Sequence, residues 1–227
     1  MSLNIRSIRH KFGQLEMHLN EFSKKPEVLC ITESWLTNNE IPYVMLEGYK
    51  IASFYCRTQK NAGGCIIFVK NGIQILDFDL LKFSSESNIE CCGTQIICPN
   101  KTFLNIMCVY RPPKGELKIF CSNMENILNN NKTQNSSWVL AGDFNINLFS
   151  HNSAKSEFIS IMKSFNIFPT ISNVNTRQSK HNSSLIDNVF TTIKNTKSRV
   201  VSNILSDHKT ILCSIPMLNF KYPKIFK

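Results

Sequence analysis

Four apolar runs in this sequence stop at residues that a hydrophobic core does not accommodate. VLCIT leads into Glu33, FLNIMCV into Tyr110 and Arg111, VLAG into Asp143 and Asn145, and NILS into Asp207 and His208. Carboxylates are ligands for hard cations such as Mg²⁺, which needs only one or two of them because it keeps several waters. An imidazole is the side chain that most readily changes charge near neutral pH. Residues i and i+2 of an extended segment share a face, so Asp143 and Asn145 are expected to look into one cleft while Phe144 packs the other way. A single run end is weak evidence, since Asp, Asn and Gly are ordinary turn residues. Read one at a time, Asp207 and His208 make a turn or helix cap, Glu33 a solvated strand end, and Tyr110 a half-buried aromatic before a Pro-Pro turn. Four in one chain point instead to strand ends converging on one rim.

Such a rim needs sheets to build it. Short apolar runs rich in β-branched and aromatic residues predict strands at 28–32, 65–70, 72–78, 93–98, 103–110, 137–142, 185–190 and 210–216. Helical spacing appears in Phe12, Leu15, Leu19 and Phe22, in Leu117, Phe120, Met124 and Ile127, and in Phe158, Ile161 and Phe165. Many strands with few helices argue for packed sheets flanked by helices and against a doubly wound parallel sheet. The segments 129–137 and 175–184 are polar loops too short to link domains.

The motifs also have a collective likeness. Asn4 in LNIRSI, Glu33 in TESWL, Tyr110 in YRPP, Asp143 and Asn145 in GDFN, Asp187 in LIDNVF, and Asp207 with His208 in SDH occur in a characteristic order. That order and its approximate spacing resemble the endonuclease/exonuclease/phosphatase superfamily over nearly the whole chain. Within it, NIRSIRHKF, TESWL, AGGCIIFVKNG, VYRPP and the stretch from Thr176-Arg177 to Leu185-Ile186-Asp187 look most like the apurinic-endonuclease-type domain of non-LTR (LINE-type, jockey-like) retrotransposons. The resemblance implies a four-layer α/β-sandwich with two packed mixed β-sheets flanked by helices and the site at one sheet edge. It implies Mg²⁺-dependent hydrolysis of a DNA phosphodiester, with Mn²⁺ able to substitute, leaving a 3′-hydroxyl that primes reverse transcription. The implied partners are double-stranded DNA and a reverse transcriptase domain in a parent polyprotein, with no small-molecule cofactor and action in the nucleus.

Phosphodiester attack adds charge to a group already negative, so it needs a cation on the phosphate oxygens, an oriented water and donors for the developing charge. By resemblance, Glu33 is the principal metal ligand, Asp207 a second contributor, and Asn4 an organiser of the metal and phosphate site. Asp143 orients or deprotonates the water and Asn145 supports it. His208 hydrogen-bonds a phosphate oxygen with its ring fixed and charged by Asp187. Tyr110 and Thr176 contact phosphate, Ser206 braces the Asp207–His208 turn, and Arg111 and Arg177 belong to the substrate-binding set. The sequence departs from the family pattern at two places. Asn4 follows only Met-Ser-Leu, so a shortened first strand is expected to lose ladder hydrogen bonds and loosen the Asn4 loop, and Asn188 stands where related elements often carry His. Two other readings stay open: a catalytically weak DNA-binding remnant, and a superfamily phosphodiesterase acting on abasic DNA, RNA or a phosphorylated lipid head group.

Composition is consistent with a polyanionic partner. The 26 Lys and Arg against 16 Asp and Glu give a formal charge of +10, although scattered surface lysines produce the same balance. Arg177, Lys180, His181, Lys194, Lys197 and Arg199 are candidates for the DNA path. The nine cysteines form no CxxC pair and sit mostly in apolar runs, where they read as small buried hydrophobes in a reducing compartment. The four Asn-x-Ser/Thr sequons, at Asn100, Asn131, Asn135 and Asn182, lack an accompanying apolar signal. No run approaches the roughly 18 apolar residues of a membrane span, so a soluble, unsecreted protein is expected. A single domain over 1–218 with a basic tail at 219–227 completes the expectation.

Overall fold

The computed structural model describes residues 1–60, 62–99, 101–131, 136–178 and 182–216. The strands are β1 (Ser2–Asn4), β2 (Val28–Thr32), β3 (Tyr49–Tyr55), β4 (Cys65–Lys70), β5 (Ile75–Asp77), β6 (Glu90–Ile97), β7 (Phe103–Tyr110), β8 (Ser136–Asp143), β9 (Phe168–Pro169), β10 (Arg177–Gln178), β11 (Ser183–Ser184), β12 (Asp187–Thr191), β13 (Lys197–Val201) and β14 (Thr210–Ser214). The α-helices are α1 (Phe12–Asn20), α2 (Leu117–Asn130) and α3 (Ser153–Ser164). Two six-stranded sheets run β13-β14-β1-β2-β4-β3 and β5-β6-β7-β8-β12-β9, and β10 and β11 form a separate hairpin.

Alternation along the strands makes the layers. In β7, Met107 and Val109 face the helices α2 and α3, while Leu104, Ile106 and Cys108 face the other sheet. In β2, Leu29 and Ile31 meet Leu15 and Leu19 of α1, while Cys30 joins Ile67 and Val69 between the sheets. The order is therefore helix, sheet, sheet, helices, the expected four-layer sandwich with both faces of each central strand buried. The three helical stripes all become helices, and four of the predicted strand runs keep their bounds to within one residue at both ends. GIQILDF shrinks to β5 because Gly72 turns the chain at φ +89. Edge strands β3 and β13 were not expected, since their polar outer residues dilute the apolar pattern. The 175–184 loop contains the β10–β11 hairpin.

Strand direction gathers the chemistry at one edge. β1 is parallel to β2 and β7 is parallel to β8, so Asn4, Glu33, Tyr110 and Asp143 all lie at carboxyl ends. β12 is antiparallel to β8 and starts at that edge, with Asp187 paired opposite Asp143. β1 has only three residues, yet each is in register with β2, from Ser2 against Cys30 to Asn4 against Thr32.

Gly142 fixes this register. Its φ is +151°, and a Cβ there would stand 1.9 Å from the Val109 carbonyl oxygen of the neighbouring strand. An alanine would force β8 away from β7 immediately before Asp143. Gly142→Ala is expected to destabilise the fold by about 3 kcal/mol or more, read as a lowered urea midpoint, and a midpoint within error of the wild type would disprove the tight register.

Candidate active site

Asn4 joins the two sheets. The buried side chain at the end of β1 donates through Nδ2 to Glu33 Oε1 at 2.8 Å and to Asp143 Oδ2 at 2.9 Å. Glu33 leaves β2 in the left-handed region at φ 52°, and Trp35 follows at φ 56°. Such conformations cost on the order of 1–3 kcal/mol each and persist only where the surroundings hold them. Here Ser7 N–H donates to the Glu33 carbonyl at 2.8 Å, Trp35 N–H to the Gly63 carbonyl at 2.9 Å, and Trp35 Nε1 to Glu33 Oε2 at 3.1 Å.

The GDFN segment differs from the simple strand alternation expected of it. β8 ends at Asp143, and Asn145 is left-handed at φ 46°. Asn145 therefore serves Asp143 through its backbone, with its N–H donating to Asp143 Oδ1 at 2.9 Å, while its side-chain amide donates to the Arg111 carbonyl at 2.8 Å. Phe144 does pack inward, its ring 5.3 Å from Phe158 and 4.9 Å from Phe190. Arg111 corrects a second expectation. Its buried guanidinium donates to the carbonyls of Asn145 and Gly115, so it clamps the loop from within and does not face a substrate.

The third group enters from β12 and β14. His208 Nδ1 lies 3.0 and 2.9 Å from the two carboxylate oxygens of Asp187, and 4.0 Å from Asp143 Oδ2. Thr176, fully buried, accepts the N–H groups of Ile186 at 3.2 Å and Asp187 at 3.0 Å on its hydroxyl. Through these two bonds it positions Asp187. Ser206 donates to the Asn4 carbonyl at 2.6 Å and accepts His208 N–H at 3.1 Å. Asp207 is bracketed by Arg6 and Arg177, each at 2.9 Å, which occupy the oxygens expected to reach a metal.

Burial and like charge govern the titration. Burial first, and then the charge of Asp187, push Asp143 up to about 8, against the lowering effects of His208 and the Asn145 and Asn4 N–H groups. Burial alone would lower His208, but the hydrogen bond and charge of Asp187, with the charges of Asp143 and Asp207, outweigh it and raise the imidazole. Tyr110 is buried beside Asp143 in register, and burial followed by the charges of Glu33, Asp143 and Glu90 holds its phenol protonated. Glu90 and Arg57 were not anticipated. Glu90 is fully buried opposite Tyr110, bound by Arg57 Nε at 2.7 Å, and pushed by burial up to about 7. The available signal was a carboxylate heading the apolar run ECCGTQII, with Arg57 in a segment that gave no strand pattern. Arg6, two residues after Asn4, was likewise visible only as a scattered charge.

The candidate DNA-path cations separate in space. Arg177 lies at the site. Lys197 pairs opposite Ser214, at the end of β14 remote from His208, and Arg199 opposite Leu212. Lys194 is exposed, while Lys180, His181 and the 219–227 tail fall outside the described residues.

A two-sheet sandwich with carboxylates, an amide and a carboxylate-bound imidazole at one edge defines a class of phosphoester hydrolases. Residues 1–208 match the Endonuclease/Exonuclease/phosphatase family, and the chain belongs to it. Among solved structures it is similar to the endonuclease domain of TRAS1, a telomere-specific non-LTR retrotransposon, at 12% identity and a TM-score of 0.74 over 95% of this chain and 96% of that one. It is also similar to an AP endonuclease from Archaeoglobus fulgidus, at 14% identity and a TM-score of 0.69 over 95% and 98%. The catalytic domain of Xenopus laevis APE2 matches at 17% identity and a TM-score of 0.66 over 98% and 94%. A comparison with curated protein sequences finds no significant match. Among the described residues no helix is long and apolar enough to cross a membrane.

The donor set fits a divalent cation. Asp143, Asp187 and His208 place ligand atoms within 4.8 Å of one another, and Glu33 faces Asp143 across one amide. The raised Asp143 marks buried negative charge that a cation would relieve. The native state therefore holds the Asp143 proton more tightly than the unfolded chain does. That contribution to stability is complete below the unfolded carboxylate pKa and is lost as pH rises through the folded value. In metal-free buffer, Asp143→Asn should gain stability relative to wild type between about pH 4 and pH 8, measured by chemical denaturation. A difference independent of pH would mean that Asp143 titrates as a solvated carboxylate.

Proposed function

We propose that this protein is a Mg²⁺-dependent DNA endonuclease of the non-LTR retrotransposon type, nicking target duplex to expose a 3′-hydroxyl for reverse transcription. The observation that carries the reading is the single amide of Asn4 holding Glu33 and Asp143 together beside the Asp187–His208 pair. The formal charge of +10 suits a polyanion, and the structural likeness to the TRAS1 endonuclease domain supports the particular substrate.

Glu33, with Asn4 fixing its carboxylate, would be the principal holder of Mg²⁺ or Mn²⁺. When bound, the ion supplies positive charge to the phosphate oxygens. Asp143 lies where it can orient a water and take its proton, because burial makes its carboxylate basic and Asn145 fixes its direction. The water oxygen bonds to phosphorus as the bond to the 3′ oxygen breaks, leaving a 3′-hydroxyl and a 5′-phosphate. His208, charged through Asp187, and Tyr110, kept protonated, donate hydrogen bonds to the developing charge. Asp207 acts with Arg6 and Arg177 at the rim, where the two guanidinium groups are available to phosphates outside the scissile position.

Supercoiled plasmid tests the reading. Wild-type protein with Mg²⁺ should convert it to open circles, EDTA should stop the conversion, and Asp143→Ala or His208→Ala should slow it by roughly 10²–10³-fold. Retardation of the plasmid without nicking would overturn the enzymatic reading in favour of a DNA-binding remnant. Faster cleavage of an abasic duplex than of an intact one would overturn the assigned substrate.

A further inference from the structure

Four of the buried cysteines meet between the sheets. Cys30 comes from β2, Cys65 from β4, Cys92 from β6 and Cys108 from β7, and Cys92 and Cys108 are direct cross-strand partners. The Cys65 and Cys92 sulfurs are 3.4 Å apart, and those of Cys65, Cys92 and Cys108 all lie within 4.8 Å of one another. The Cys108 thiol donates to the Ile31 carbonyl at 3.5 Å, and Cys30 lies in the same interior layer. A cavity of about 480 Å³ opens at the end of the sandwich opposite the candidate active site, between the start of β2 and the end of β14, and Cys30 and Cys213 are in its wall. Small apolar residues would fill the interior equally well. Sulfur atoms touching across two sheets, with Cys30 of the same layer on an open cavity, add the ligand set and the entry path that a metal site requires.

We propose that Cys65, Cys92 and Cys108, with Cys30 as the ligand nearest the cavity, form a binding site for a thiophilic d¹⁰ cation of the Zn²⁺ or Cu⁺ class. Tetrahedral zinc with sulfur bonds near 2.3 Å holds its sulfurs about 3.8 Å apart, a spacing these side chains reach by small rotations. Burial pushes the Cys65, Cys92 and Cys108 thiols well above their ordinary range, so they are neutral and unreactive without a metal. An entering divalent ion displaces one proton from each thiol that binds it, since the coordinating form of cysteine is the thiolate, and those protons leave through the cavity. Ligand softness separates this centre from the carboxylate edge, which selects Mg²⁺.

Cd²⁺ is the probe, added to the whole protein under a thiol-free reductant with excess Mg²⁺ to occupy oxygen ligands. An ultraviolet thiolate-to-cadmium charge-transfer band should rise and saturate at about one ion per chain. It should vanish in Cys65→Ala/Cys92→Ala and persist in Cys91→Ala, whose thiol belongs to the opposite face of β6, and in Glu33→Ala. No band from folded wild-type protein, or a band surviving the double substitution, would overturn the proposal. If the double variant does not fold, Asp143→Asn protein decides: release of about three to four protons per Cd²⁺ supports the thiol site, and a smaller release refutes it.

Discussion

The burial of one carboxylate sets the terms for this molecule. Asp143 sits 1% exposed at the end of a central strand, where water cannot solvate its charge. An isolated ion in such a place would neutralise itself. The surrounding groups reduce that cost without removing it: the Asn4 amide on one oxygen, the Asn145 N–H on the other, and the His208 ring nearby. What remains is a base stronger than any solvated carboxylate and a local excess of negative charge suited to a divalent ion.

Holding that arrangement takes rigid support on both sides. Behind Asp143, Phe144 is locked among Phe158 and Phe190, so the loop cannot turn without opening a core interface. Beside it, Gly142 permits an approach to Val109 that no other residue allows. In front, Glu33 and Asn145 adopt left-handed conformations that redirect strand ends into the cleft. Local strain is stored where the chemistry is and is offset by packing elsewhere.

The two ends of the sandwich offer opposite ligand chemistry. Oxygen donors crowd the edge where parallel strands finish, and sulfur donors meet in the interior toward the cavity at the other end. The same strand, β7, serves both: Tyr110 at its tip belongs to the acidic edge, while Cys108, two residues earlier, points between the sheets. Being two residues apart, they share one face of the strand, and it is distance along the strand that separates the two sets of donors.

Much of this was legible in the residues. Amphipathic spacing located all three helices, because an apolar stripe in a helix is a local pattern. VLCIT, CIIFVK and FLNIMCVY marked central strands because both their faces are buried. The ordered motifs identified Asn4, Glu33, Asp143, Asp187 and His208 as one constellation. Tertiary structure alone decided the rest. Arg111 and Thr176 turn inward to hold backbone groups, Asp207 is taken up by two arginines, Glu90 finds Arg57, and Cys65, Cys92 and Cys108 bring their sulfurs within 4.8 Å of one another. A sequence records which side chains can make such bonds. Whether they do depends on strand register and sheet packing, which bring together residues whose separation along the chain carries no signal of their meeting.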